Sequence, residues 1–123
     1  MIKRIVLSSI CVLLASCQAS KTASVQDKST THHGIFKANQ NQIGEVCPEL
    51  IAGQTFQFKF EANFPVTFNL HYHHDKETVY PISKRNLTQI TDQFTAPQSN
   101  TYCLMWKTLL DQTKIKYQYQ IFD

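Results

Sequence analysis

The sequence predicts an all-β protein, an antiparallel β-sandwich of about seven strands with one disulfide. Three observations lead to this fold class. Apolar and polar residues alternate in short runs, turn residues separate the runs, and no segment has to be interpreted as a helix of ordinary length. Short strands at regular spacing are typical of sandwiches. The chain has 123 residues, which leaves room for a single folded domain.

The clearest strand covers residues 54–61, where three phenylalanines alternate with polar side chains and so fall on one face. A similar alternation over residues 66–73 predicts a second strand, and Pro65 separates it from the first. These two strands supply much of the predicted core. Their inward side chains are Phe56, Phe58, Phe60, Val66, Phe68, Leu70 and Tyr72.

The other strands are shorter or less regular. Pro81 lies inside one of them and predicts an edge position, because proline cannot donate a backbone hydrogen bond to a neighbouring strand. Residues 84–90 lack clear alternation and fit either a helical turn or a crossover loop. The predicted strands are residues 43–47, 54–61, 66–73, 78–83, 91–96, 102–106 and 114–121.

Residues 17–42 predict a flexible tether ahead of a folded domain at residues 43–123. The segment is rich in Ser, Thr, Lys, Gln and Asn, a composition that buries too little apolar surface to offset the entropy of ordering. A coil of this length spans roughly 25 to 30 Å. Ile35 and Phe36 interrupt the polarity, so docking of this part onto the domain stays open.

Residues 1–16 have the order of an export signal: Lys3 and Arg4, then an apolar run, then small residues before Cys17. The apolar run is shorter than the roughly 20 residues that a transmembrane helix needs. Leu-Ala-Ser at residues 14–16 resembles the lipobox of bacterial lipoproteins. The resemblance implies cleavage before Cys17 and a lipid anchor of several acyl chains on that residue. A secretory signal cut elsewhere is the alternative.

The residue after Cys17 bears on location. Gln18 stands where many inner-membrane lipoproteins of enteric bacteria carry an aspartate, so the resemblance implies the outer membrane, facing the periplasm. The expected partners are the membrane, through the lipid, and a protein of the envelope.

Charge argues against nucleic acid as a partner. The formal charge of +3 falls to +1 when Lys3 and Arg4 leave with the signal, because ten basic and nine acidic residues remain. These charges are scattered along the chain and form no basic stripe.

Two of the four cysteines are left for the folded domain. Cys11 lies in the signal and Cys17 at the lipid site, so Cys47 and Cys103 enter an oxidising compartment as a pair. We predict a disulfide between them, although a buried pair of thiols or one nucleophilic cysteine stays open. No Cys-x-x-Cys is present, which disfavours thioredoxin-like chemistry.

The two cysteines also suggest a family. One stands in an early predicted strand, and the other stands in Tyr-Cys-Leu-Met-Trp at residues 102–106, ahead of the last strand. Over roughly residues 43–122 this arrangement resembles the GOLD domain of p24-type proteins. The resemblance implies a sandwich that recognises a protein or a lipid without catalysis.

His71 and His73 form the one cluster that suggests chemistry. They are two residues apart on a predicted strand, so their side chains point to the same face and their backbones lie about 6.5 to 7 Å apart. At this distance two imidazoles can bind one ion, which would be half of a copper or zinc site. Met105 as a third ligand would favour copper, because its thioether is soft. A plainer interpretation, polar histidines on a solvent face, stays open, and so does a contact of these histidines with another protein. Other candidate donors are His32, His33, His74, Asp75 and Glu77.

The sequence holds no Gly-x-Ser-x-Gly, no His-Glu-x-x-His and no glycine-rich phosphate loop. We therefore predict a non-catalytic binding protein of the cell envelope. Periplasmic binding of copper or zinc by His71, His73 and Met105 is the alternative.

Overall fold

The computed structural model describes residues 29–123, and this part of the protein is built from β-strands without helices. Every strand pair is antiparallel, and a disulfide joins Cys47 to Cys103, so the predicted fold class is confirmed. Over residues 29–123 no helix is long and apolar enough to span a membrane. The strands are β1 (His32–Ala38), β2 (Ile43–Val46), β3 (Glu49–Leu50), β4 (Thr55–His74), β5 (Glu77–Thr95), β6 (Asn100–Thr101), β7 (Cys103–Thr108) and β8 (Thr113–Phe122).

The central strand of the main sheet is β4. Along one edge it pairs with β5, and along the other it pairs first with β8 and then with β7. β1 extends the sheet beyond β8, and β2 extends it beyond β7. The sheet is folded once across its middle into two layers. Layer A contains β1, β8, the first half of β4 and the second half of β5, and layer B contains β2, β7 and the other halves of β4 and β5.

Aromatic side chains fill the space between the layers. Phe58 and Phe60 of layer A lie with their ring centroids 5.8 and 5.0 Å from that of Phe68 in layer B. Trp106 of layer B stacks on Tyr117 of layer A at 5.1 Å. Burying each large apolar side chain contributes about 1.5 to 3 kcal/mol. The predicted inward faces of the strands are therefore confirmed.

The break predicted at residues 63–65 is wrong, because β4 runs through it as one bent strand. The β8 ladder ends at Ala62 and the β7 ladder begins at Val66, with a register shift in between. Pro65 lies in this gap, where neither ladder pairs. A central strand tolerates proline here for that reason.

One strand, β5, replaces the three segments predicted over residues 78–96. Residues 84–90 form neither a helical turn nor a crossover loop, because they follow β4 around its bend. Asn86, with φ at 59°, lies in this part of β5. The edge position predicted from Pro81 is confirmed, since β5 pairs with β4 alone.

The strands turn together at one level, which we name the corner. Buried Thr108 ties two of them together there: its hydroxyl donates to the carbonyl of Asn39 and accepts from the N–H of Gln42 at 3.0 Å. Asparagine, as at Asn41 and Asn86, tolerates the left-handed backbone that sharp turns need. Three of the four non-glycine residues with positive φ between residues 29 and 123 lie at the corner, namely Asn41, Asn86 and Gln112.

The tether predicted over residues 17–42 is wrong from residue 32 onward, because β1 pairs with β8 over seven residues. Phe36 of β1 packs against Gly44 of β2, where an added Cβ would come within 2.7 Å of the ring, and Ala38 is buried. The mean polarity of the segment concealed these two core residues. The domain therefore begins near residue 32, and residues 17–28 lie outside the described part.

The end of the sandwich opposite the corner is closed by two segments that cross between the layers. Residues 47–54 lead from β2 in layer B to β4 in layer A, and residues 96–102 return from β5 to β7. The short strands β3 and β6 pair where these segments meet. The Cys47–Cys103 disulfide joins the ends of β2 and β7 at the same place.

We expect Thr108→Val to lower the free energy of unfolding by about 1 to 3 kcal/mol, because it removes the two part-buried hydrogen bonds of its hydroxyl, to the carbonyl of Asn39 and from the N–H of Gln42. Urea titration followed by the fluorescence of Trp106, the one tryptophan of the chain, measures this. Exposed Thr91→Val is the matched control and should change it by less than about 0.5 kcal/mol. Equal losses in both variants would contradict this role of the corner.

Candidate functional site

The two histidines of the predicted metal site lie on the outer face of layer B, as their spacing predicts. Their ring centroids are 5.5 Å apart with the planes at 75°. Strand register places residues of β2 and β7 on the same face, with Glu45 opposite Met105 and Met105 opposite Asn69. We name this surface the histidine face. Its residues are Ile43, Glu45, Thr67, Asn69, His71, His73, Tyr80, Met105 and Lys107.

His71 is buried to 6 % exposure and held in one orientation. Its Nδ1 donates to Asn69 Oδ1 at 2.8 Å, so its Nε2 carries the free lone pair. That nitrogen faces Glu45 Oε1 at 3.9 Å, and the Tyr80 ring packs beside the imidazole with centroids 5.7 Å apart. The lone pair of His71 Nε2 and the carboxylate of Glu45 face each other, so a hydrogen-bond donor or a cation between them would be attracted by both.

Burial lowers the pKa of His71 from its ordinary value of 6.5, and the positive charge of a protonated His73 acts in the same direction. Glu45 opposes this shift, because its carboxylate favours a protonated imidazole, but burial is the larger effect. His71 is therefore neutral at pH 7 and presents an acceptor to whatever contacts the face.

His73 differs from His71 although it shares the face. It is exposed, and its Nδ1 lies 3.1 Å from the Thr78 hydroxyl. Met105 is half-buried one strand away, opposite Asn69 in register. The three predicted ligands are thus on one surface, and the metal site they would form stays a prediction.

The other candidate donors are dispersed. His32 of β1 stacks on Tyr119 in layer A with centroids 4.6 Å apart. His74 bonds Gln98 at 3.0 Å, and Asp75 occupies the turn between β4 and β5. These residues do not converge on His71.

Sequence reasoning missed Glu45 and Tyr80 as members of the site. The predicted disulfide carried the signal for Glu45: if Cys47 and Cys103 face each other on antiparallel strands, the residues two positions before and after them also face each other. Those residues are Glu45 and Met105. Tyr80 gave no such signal, because a register shift in β4 between Leu70 and Tyr72 sets its position.

The outer face of layer A has a different character, and we name it the glutamine face. Polar side chains cover most of it, with Gln57 Nε2 donating to Gln93 Oε1 at 3.2 Å, and exposed Ile35 of β1 lies at its edge opposite Lys116. It offers no group with the lone pair and fixed orientation of His71. Its residues are Gln57, Lys59, Thr91, Gln93, Gln118 and Gln120.

No protein-family model matches the chain, and no curated protein matches its sequence. Its fold is similar to those of solved structures. PliG of Aeromonas hydrophila, described as a periplasmic inhibitor of g-type lysozyme, matches with TM-score 0.56 and 16 % identity, covering 78 % of this chain and 88 % of that chain. The corresponding inhibitor of Salmonella Typhimurium matches with TM-score 0.50 and 19 % identity, covering 78 % and 89 %.

A third similar structure comes from the acid-stable capsid of Helicobacter pylori bacteriophage KHP30, with TM-score 0.52, 16 % identity and coverage of 77 % of this chain and 87 % of that chain. At these identities the likeness establishes the fold alone. Inhibitors and a capsid chain share the fold, so the fold by itself does not determine a function. The resemblance to the GOLD domain stays a prediction.

We expect the stability of the domain to depend on the protonation of His71. The folded-state pKa lies below the unfolded one, so the stabilisation is complete above about pH 6.5 and is lost as the pH falls through the folded pKa. Between about pH 7 and pH 5 the unfolding free energy of the wild type should fall more steeply than that of His71→Gln.

Urea unfolding at a series of pH values measures both slopes. His73→Gln is the matched control, because it removes an exposed imidazole from the same face and leaves burial, the largest cause of the lowered pKa of His71, in place. If the wild type and His71→Gln lose stability in parallel, burial of a neutral His71 does not contribute.

Proposed function

We propose that this chain is a lipid-anchored protein of the bacterial cell envelope whose sandwich binds a protein partner through the histidine face, without catalysis. One observation carries the proposal. Two large apolar side chains, Ile43 at 57 % and Tyr80 at 54 % exposure, flank the fixed pair of His71 and Glu45 on a four-stranded surface. Exposed apolar anchors around an oriented polar group are typical of protein interfaces.

The composition of the two outer faces favours the histidine face as the interface. Tyrosine and methionine are enriched in interfaces, and Tyr80 and Met105 both lie there. Long glutamine and lysine side chains lose rotamer freedom when a partner covers them, which costs about 0.5 to 1.5 kcal/mol each. The glutamine face is made largely of such residues.

The surroundings of His71 support a role without catalysis. Its Nδ1 is bonded to Asn69, its Nε2 faces a carboxylate, and Cys103, its register neighbour, is in a disulfide. A histidine base needs a nucleophile or a substrate proton within reach. These neighbours supply neither.

Two similar structures guide the choice of partner. Both are described as periplasmic inhibitors of g-type lysozyme, so an envelope or secreted lysozyme of the g type is the first partner to test. Periplasmic location fits the disulfide, which persists in oxidising compartments.

The anchor extends the proposal to the first residues of the chain. Acylation of Cys17 would leave residues 18–31 between the lipid and β1, a reach of roughly 50 Å when fully extended. We place the lipid in the outer membrane with the domain facing the periplasm, because Gln18 follows the modified cysteine.

A second candidate is binding of copper or zinc by His71, His73 and Met105. The observation in its favour is the Nε2 lone pair of His71, oriented by Asn69 as histidine ligands of metals usually are. A titration of the oxidised protein with either metal distinguishes it from protein binding.

We expect Cys17→Ser to release the protein from the membrane fraction, because the residue can no longer carry the lipid. Fractionation and mass spectrometry of the N-terminal peptide measure this. Cys11→Ser should stay membrane-bound and serves as the control. Retention of Cys17→Ser in the membrane, or a mature N-terminus elsewhere, would contradict the anchor.

We expect Tyr80→Ala and Ile43→Ala each to weaken binding of the oxidised chain to g-type lysozyme by at least tenfold, because each removes an apolar anchor worth about 1.4 kcal/mol or more. Biolayer interferometry with the full-length chain in detergent measures the Kd. The controls Lys59→Ala and Gln93→Ala lie on the glutamine face and should leave the Kd within about twofold.

If the oxidised chain does not bind the lysozyme, crosslinking in intact cells tests the broader proposal with the same variants. A crosslinked protein that is lost in Tyr80→Ala but kept in Gln93→Ala supports the histidine face. Crosslinking that depends on Gln93 and not on Tyr80 assigns the interface to the glutamine face and overturns the proposal.

A further inference from the structure

The disulfide of the domain lies on the outer face of layer B beside a carboxylate and an imidazole. Within residues 29–123, Glu45, Cys47 and Cys103 form the single group of three His, Cys, Asp or Glu side chains whose ligand atoms all lie within 4.8 Å of one another. His71 adds a fourth donor, because its Nε2 is 3.9 Å from Glu45 Oε1 and its backbone pairs in register with Cys103. Two of these four donors are engaged in the S–S bond.

We propose that reduction of the Cys47–Cys103 bond converts this cluster into a site for a thiophilic metal ion of the Zn²⁺ class, held by both thiolates, Glu45 and His71 Nε2. Two sulfurs, one imidazole nitrogen and one carboxylate oxygen are ligands that zinc accepts in tetrahedral geometry. Metal–ligand distances of about 2.0 to 2.3 Å place such atoms roughly 3.3 to 3.8 Å from each other. Glu45 and the two sulfurs already lie within 4.8 Å of one another, and His71 Nε2 lies next to that group at 3.9 Å from Glu45 Oε1, so rotation of Glu45 and of the two released cysteines toward His71 would complete the site.

His71 is already prepared for this role. Asn69 Oδ1 accepts the proton on Nδ1 at 2.8 Å and so presents the Nε2 lone pair toward Glu45. A hydrogen bond from the second ring nitrogen is the usual support of a metal-bound histidine, because it fixes the tautomer and the ring orientation. His73 has no matching role, because it is exposed and lies beyond the end of the β4–β7 ladder, whose last register pair is His71 with Cys103.

Cys47 is exposed, so the bond is open to attack by an external dithiol. The dithiol passes two electrons and two protons to the bond: it leaves as its own disulfide, and Cys47 and Cys103 become thiols. On binding the metal, both thiols release their protons to solvent and donate as thiolates. Bound thiolates are no longer free nucleophiles, so the metal should also slow reoxidation to the disulfide.

The test uses the full-length chain in detergent, reduced with a phosphine, which does not compete as a thiol. Zn²⁺ is titrated against a chromophoric chelator. We expect the reduced chain to bind one Zn²⁺ at least 100-fold more tightly than the oxidised chain. His71→Ala and Glu45→Gln should each weaken that binding by 10-fold or more, and His73→Ala, the matched control, should leave it unchanged.

Near-ultraviolet circular dichroism follows the fold during the same titration. If the reduced metal-free chain stays folded, the affinities decide. If it unfolds, zinc should restore the native spectrum in the wild type, because His71 reaches the two cysteines only in the folded chain and binding through it therefore favours the fold. Zinc should not restore the spectrum of His71→Ala, which lacks this ligand.

Four results would overturn the proposal. Equal zinc affinity of the oxidised and reduced chains excludes a site gated by reduction. Unchanged affinity in both His71→Ala and Glu45→Gln shows that the thiols bind zinc without the folded cluster. If the reduced chain unfolds and zinc does not restore its native spectrum, the folded cluster does not bind the metal. Tight binding by the oxidised chain that depends on His73 assigns the metal to the second candidate function instead.

Discussion

The constraint on which the rest of the structure depends is the corner, where the strands of one sheet turn at the same level. A sheet that folds on itself buries one face only if its neighbouring strands bend together, because a single straight strand would hold the two layers apart. Thr108 meets this condition with hydrogen bonds to the turn between β1 and β2, while Asn41, Asn86 and Gln112 adopt the backbone that the turns need. The aromatic core is the consequence.

Folding the sheet in this way gives the domain two outer faces with different chemistry. The glutamine face carries flexible amides and ammonium groups. The histidine face carries a buried imidazole that Asn69 holds in one orientation, with the free lone pair of Nε2 toward Glu45. The disulfide borders this second face and joins β2 to β7, so the most oriented polar group of the surface, His71 of β4, lies directly beside the cross-linked pair of strands. Rigidity of this kind reduces what is lost when a partner is bound.

Much of the fold could be predicted because period-two alternation reports directly on which face of a strand is buried, as Phe56, Phe58 and Phe60 illustrate. The bend in β4 could not be predicted, because a proline such as Pro65 normally ends a central strand. The proline is tolerated here because the neighbour of β4 changes from β8 to β7 at this point. β1 was hidden for another reason: two core residues in a polar segment do not alter its mean composition. The shared face of His71 and His73 could be predicted from their spacing along one strand. The positions of Glu45 and Tyr80 beside them depend on which strands become neighbours, and the spacing within one strand gives no information about that.

The position of β1 has a mechanical consequence. Tension applied to the chain ahead of residue 32 reaches β1 first, and β1 is an edge strand joined to the sheet through β8 alone. Seven register pairs and the contact of Phe36 with Gly44 resist that load. Most of the aromatic side chains of the core belong to β4, β7 and β8. They bear little of the force until the contacts of β1 with the rest of the sandwich separate. A pulling force would therefore peel away the first strand while the remainder of the sandwich kept its shape.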